Sequence, residues 1–414
     1  SMVSDIGCLS SLRLLAGTVW RIARTVGAVM AEDGQPVDPQ RDDEGSDGAR
    51  SSDEQTHAGL PPMVDWGLAV GTARRIAGSG PRLSPQETEQ VVTDLRAHAA
   101  SAEEFVADHT GLQAPTSTAP VTIVDRGGWA QANADAFAVL LTPVMARMAD
   151  KRRGASAWDP LGRRITGVEL GVMLGFLASK VLGQYDPFLR DDPGSDPVEK
   201  GRLLLVAPNI VEAERQLGVL PEDFRLWVCL HEETHRVQFG AVPWMREHVR
   251  SEIDQVIGAT PLDLGELLTR MLAAGRGVVD AARPGREVPS LLDIVQSPEQ
   301  RAVVERLAAV MSLLEGHADV VMDDVGPDVV PSVARIRERF SHRRDNAIGL
   351  SRVLRRLLGL EEKMRQYREG AAFVRAVQGS VGQDGFNAVW SSPDLLPTPA
   401  EITAPNAWVA RVHG

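Results

Sequence analysis

Cysteine is almost missing from this 414-residue chain; the two present, Cys8 and Cys229, lie far apart, and Cys229 sits inside an apolar run. That excludes a disulfide framework and makes a reducing, cytoplasmic setting the expectation. Positive charge is in deficit too. With 44 Lys and Arg against 56 Asp and Glu, the net charge is -12 and the pI about 5.3. A general nucleic-acid binder needs a basic face to displace phosphate counterions, so nucleic acid is not an expected partner. Long apolar runs are lacking as well, and no transmembrane segment is expected. The nearest candidate, Leu12 to Met30, is broken by Arg13, Arg21 and Arg24. It carries no acid, and Leu15, Val19, Ile22 and Val26 recur at helical spacing. Residues 1–31 therefore read as an amphipathic N-terminal extension, and 12–30 leaves open a contact with a membrane surface. Aromatics make up only 5% of the chain, and its 2 tyrosines leave a short choice of phenols for any chemistry.

From Glu32 to Pro62 the chain is rich in Asp, Glu, Ser, Gly and Pro, with no aromatic residue. Such a stretch buries too little apolar surface to offset its ordering entropy, so 32–62 is expected to be a disordered acidic linker. Beyond it, residues 63–414 read as one unit. "MVDWGLAVGTARRIA" opens a succession of helical patterns: Ser84 to Asp108, Gly128 to Asp150, Thr166 to Leu182, Pro221 to Phe239, Ser297 to Asp324, and Pro331 to Gln378 with a break near Gly359. "SPQE" and "SPEQ" are starts of the same kind, with proline in the first turn. One run, Arg202 to Ile210, reads as a buried strand ended by Pro208 and Asn209. There is no internal repeat. The fold class expected is mainly α with a minor β element.

Within "LWVCLHEETHRVQFGAVPW" lies HEETH. Leu226 to Phe239 has neither Gly nor Pro, so a helix is the natural reading. Residues four apart on a helix stand one above the other, which aims His231 and His235 at a single ion. Glu232 emerges beside them, where a carboxylate takes a proton from a water on zinc. A catalytic zinc site needs a third protein ligand and an open position. "MSLLEGHADVVMDDVG" offers that ligand: Glu315 and Asp319 are four apart within an apolar helical pattern, so both acids share one face. Burying them there is costly unless something positive is near. Glu315 is the expected ligand, with Asp319 accepting the second N–H of a ligating histidine. His317 is the rival, although two helical steps turn it to another face.

HEETH followed by "EGHADVVMD", together with "VPW", "KMRQYREG" and "LPTPAEITAPNAWVARV", resembles the bacterial zincin-like metallopeptidase type 2 family, some members of which carry a deazaflavin-coenzyme-biosynthesis-associated label. The resemblance spans about Met63 to Val412 and implies a zincin-like fold, zinc as cofactor and a hydrolase acting on a peptide or protein substrate. It brings no named substrate. Family members tend to begin near "MVDW", which makes the residues before Met63 an extension. Glu233 and Arg236 are charged where the usual extended motif is uncharged.

A tetrahedral intermediate needs a donor for its oxyanion. Tyr367 is favoured over Tyr185, with His248 and His342 as further options. The run before the motif helix, Leu203 to Ile210, is expected to be an edge strand that holds an extended substrate by strand addition; pairing at both its edges would refute this. Gly171, Gly175 and Gly183 are spaced for a close helix approach, and Trp244 is expected to pack beneath the end of the motif helix. Two functions stand side by side: a zinc metallopeptidase, and a zinc-bearing scaffold or interaction protein without peptide turnover. An open coordination position and a reachable cleft would separate them.

Overall fold

A computed structural model of the chain describes residues 64–114, 121–150, 160–188, 201–258, 298–345 and 360–414. The extension 1–31, the linker 32–62 and the break near Gly359 lie outside the described residues. In chain order the elements are α1 (Trp66–Ala77), α2 (Pro85–Thr110), β1 (Val121–Val124), α3 (Arg126–Asp150), α4 (Pro160–Ala178), β2 (Gly183–Asp186), β3 (Arg202–Val206), α5 (Ala207–Leu217), α6 (Pro221–Ala241), α7 (Met245–Gly258), α8 (Pro298–Asp324), α9 (Gly326–Val329), α10 (Val333–Asp345), α11 (Leu360–Asn387), α12 (Pro399–Thr403) and α13 (Pro405–His413). The fold is mainly α with one small sheet, as expected.

Local chemistry sets the helix ends. Ser84 and Glu87 close a capping box, Ser84 Oγ accepting from the Glu87 N–H and Glu87 Oε2 from the Ser84 N–H. Gly111 ends the same helix at φ 68, a left-handed conformation that glycine adopts without a Cβ penalty. Helix α4 meets α1 along Gly167, Gly171 and Gly175, where an added Cβ would run into the backbone oxygens of Asp65, Ala69 and Ala73. Two of these glycines are among the three read as a close-approach stripe. The third, Gly183, does something else.

The sheet has the order β1-β3-β2, with β1 parallel and β2 antiparallel to β3. This corrects the expected edge strand: β3 is central, hydrogen-bonded on both sides, and has no free edge for a substrate. It is also shorter than read. Ala207 already begins α5, and Pro208, taken as a terminator, stands in the first helical turn, where its missing N–H costs nothing. Asn209 is buried and donates from Nδ2 to the carbonyls of Ala178 and Val181 at 2.8 and 2.5 Å, tying the end of α4 to the start of α5.

Helix α6 is apolar or buried all round from Phe224 to Phe239 save Leu226, the pattern of a helix surrounded by others. It packs against α2, α8, β2 and α7. After it ends, Trp244 donates from Nε1 to the Trp390 carbonyl at 3.1 Å, fastening the C-terminal region to its exit. Helix α11 bends at Gly382, φ 74, and packs along α8. The closest point is Gly316 against Gly370, where a Cβ on either would strike the other helix's backbone.

Candidate metal centre

His231 and His235 stand one turn apart on α6, as the four-residue spacing requires, and their Nε2 atoms are 3.2 Å apart. Glu315, from the middle of α8, brings Oε2 to 3.6 Å from His231 Nε2 and 3.7 Å from His235 Nε2. The last two separations are too long for hydrogen bonds. All three side chains are buried. They are the one group of His, Cys, Asp and Glu among the described residues whose ligand atoms converge as a metal requires.

Whether they fit zinc can be tested on geometry and on what is left unsatisfied. Ligand atoms about 2.0–2.2 Å from a tetrahedral ion stand about 3.3–3.5 Å from one another. The observed triangle of 3.2, 3.6 and 3.7 Å is close to that spacing. Both Glu315 oxygens are buried with no hydrogen-bond partner, which a carboxylate does not tolerate unless a cation serves it. Two imidazole nitrogens and one carboxylate oxygen form a donor set that suits zinc. The residues fit the ion.

Their electrostatics agree. Burial raises the Glu315 carboxyl, but the facing His235 and His231 rings outweigh it and hold the group at about 2, so it stays ionised. Burial lowers His235, yet the Glu315 charge overrides this and carries the ring up to about 9. His231 is lowered, first by burial. A site so ready to bind a proton between ligands is one that binds a cation.

Glu232 differs from all of these. It is buried, neither of its oxygens has a hydrogen-bond partner, and burial raises it to about 8. The backbone of β2 leans on it: a Cβ at Gly183 would lie 2.6 Å from its Cγ, 2.7 Å from Cδ and 2.8 Å from Oε1. Strand β2, which was not expected from the sequence, is thus the edge of the sheet that adjoins the HEETH helix.

The remaining candidates fall out as follows. Asp319 raises His231 electrostatically, but the second nitrogens of the histidines go elsewhere: His231 Nδ1 has no hydrogen-bond partner and His235 Nδ1 faces Gln238. His317 is buried between Phe386 and Trp390, ring centroids 5.3 Å from each, and is not part of the converging group. Tyr185 lies on the same face of β2 as Gly183 and packs on Phe239 at 5.8 Å. His248 rests against Trp244. The side chains of Tyr367 and His342 lie outside the described residues. Glu233, charged where the motif is ordinarily uncharged, is buried against Arg236, which also reaches Glu103 at 2.7 Å. Gln238 was not singled out by sequence reasoning; its position three residues after His235, on the same helix face, is the signal that would have found it.

The family model for zincin-like metallopeptidases matches residues 64–409. The chain belongs to the zincin-like metallopeptidase family. Among solved structures, the chain is similar to one from Chloroflexus aurantiacus, provisionally assigned as a hydrolase and described as having a novel fold. It is 30% identical, with a TM-score of 0.59, over 84% of this chain and 99% of that one. The comparison with curated proteins gives no match. Membership in a zincin-like family implies a metal, ordinarily zinc, and among the described residues of this zincin-like chain the His, His, Glu group is where one fits. No helix among the described residues is long and apolar enough to cross a membrane.

Proposed function

We propose that this zincin-like protein is a zinc-dependent hydrolase that cleaves peptide bonds, with His231, His235 and Glu315 holding zinc and Glu232 as general base. Bound zinc would supply a Lewis acid that lowers the pKa of water and polarises a carbonyl. Glu232 accepts a proton from the attacking water on one carboxylate oxygen and returns it to the departing amine as the C–N bond breaks. Burial raises its carboxyl to about 8, and a cation held by the neighbouring histidines would oppose that shift and favour the ionised form a base needs. Glu315, held ionised, keeps the ligand set charged. Tyr367 is our assignment for the oxyanion donor: position 367 stands one turn before Gly370, the point at which α11 touches the helix of Glu315. Cys229 is a buried free thiol, in keeping with a reducing cytoplasmic setting.

The observation that carries this reading is Glu232 itself. A buried carboxylate without a hydrogen bond is costly and adds nothing to a metal site that only staples the fold. It has a use where a proton must be taken. The test is Glu232→Gln: it should keep zinc and lose hydrolysis of a quenched fluorescent peptide mixture. Equal turnover by this variant and the parent removes Glu232 as base.

The second reading, a zinc-bearing scaffold without turnover, is favoured by a different observation. All four side chains are fully buried, and one open cavity among the described residues, of about 400 Å³ near Glu214, Pro221 and Arg225, is lined by none of them. Zinc bound at full occupancy with no cleavage of any peptide in the mixture would decide for it.

A further inference from the structure

Gln238 is fully buried on α6, one turn beyond His235. Its Oε1 lies 3.0 Å from His235 Nδ1, and its Nε2 donates to the Leu314 carbonyl at 2.9 Å and lies 3.0 Å from His317 Nδ1. These contacts fix one another. A backbone carbonyl can only accept, so the NH₂ end of the amide must face Leu314, and the amide oxygen is left facing His235. That oxygen can only accept in turn, so His235 must carry its hydrogen on Nδ1. In the neutral ring Nε2 then presents a lone pair toward His231 and Glu315, the arrangement a metal ligand needs. The second amide hydrogen goes to His317 Nδ1, which accepts it, and the His317 ring is clamped by Phe386 and Trp390.

We propose that Gln238 is the positioning residue of the metal centre: it sets the tautomer and orientation of His235 and, through Leu314 and His317, joins the helix that carries both histidines to the helix that carries Glu315. This rests on the reading of His231, His235 and Glu315 as zinc ligands. It gives to Gln238, at His235, the role the sequence suggested for Asp319. His317, the rival ligand by sequence, is the far anchor of the same amide. Because Leu314 immediately precedes Glu315, a single side chain reports the relative placement of the two ligand-bearing elements.

The experiment compares full-length parent, Gln238→Met and Gln238→Glu. Methionine keeps the length and apolar bulk but neither accepts from His235 nor donates to Leu314. Glutamate restores the acceptor alone. Zinc affinity is read by chelator competition, and the protonated ring nitrogen of His235 by long-range ¹H–¹⁵N NMR in zinc-free protein at a pH above the raised His235 value of about 9, where the ring is neutral. We expect Gln238→Met to bind zinc about 10–100-fold more weakly and to lose the single Nδ1–H tautomer of His235. Gln238→Glu should retain that tautomer and lie closer to the parent than to Gln238→Met in affinity. A Gln238→Met protein with parental affinity and an intact Nδ1–H tautomer overturns the proposal. If Gln238→Met does not fold, Gln238→Glu decides alone, loss of the Nδ1–H tautomer counting against us. A parent that binds no zinc overturns the metal reading instead, and the tautomer in the zinc-free parent and variants still decides the role of Gln238.

Discussion

Replacing Gly183 by alanine tests the link between the sheet and the base. An added Cβ would stand 2.6–2.8 Å from three atoms of Glu232, against 3.4 Å or more in ordinary contacts. One side must therefore yield by about 0.6–0.8 Å. Strand β2 is held by pairing to β3, and Glu232 is enclosed on a helix buried on every side, so neither yields freely. Forcing a methyl into such a core costs about 1–3 kcal/mol, which for a chain of this size lowers the melting temperature by about 1–3 °C. Glu232 is displaced by most of an ångström, and a misplacement of that order costs about 10–100-fold in rate. Zinc should remain, since Glu232 is not among the ligands. Differential scanning calorimetry, zinc analysis and turnover of a quenched peptide mixture read the three effects separately. An alanine variant with parental melting temperature and parental turnover would refute the contact, and one that loses zinc would show that Glu232 or its neighbours hold the metal.

His231→Ala and His235→Ala should each abolish stoichiometric zinc, because a ligand set of two does not retain the ion against a chelator; full zinc in either variant refutes the assignment. Stripping zinc from the parent should lower its melting temperature, since ligand at about 100 times its dissociation constant stabilises by about 2.7 kcal/mol; identical melting with and without chelator would mean that no ion binds the folded state. Glu315→Ala should weaken zinc far more than Asp319→Ala in chelator competition, because Glu315 Oε2 faces Nε2 of both histidines whereas Asp319 is not part of the converging group. Gly370→Ala should destabilise the protein and loosen zinc together, since its Cβ strikes the Ser312 carbonyl one turn before Glu315; a lower melting temperature with unchanged zinc affinity would separate the helix contact from the site.

Much of the centre is local, and local features are legible in a sequence. His231 and His235 share a helix face because the α-helical repeat places residues four apart in line, whatever the rest of the chain does. The cost of burying a carboxylate marks Glu315 in the same way, and a long apolar helix pattern led to the right segment of α8. Helices α2, α6 and α8 were legible from their starts, proline and serine or acidic residues standing where the first turn begins. Strand β2 was not, because "GQYD" shows no alternation and begins with glycine; it is a strand through its partner Leu203 to Leu205, not through its own residues. The order β1-β3-β2 likewise arises from pairing between distant segments, and it turned the expected substrate edge into the centre of the sheet. Two further relations belong to tertiary structure alone: Gly183 against Glu232, and Gln238 against Leu314 and His317. Each joins residues about fifty to eighty positions apart, across elements whose approach is set by packing, and helical or strand periodicity carries no information about which side chain a packed neighbour will bring.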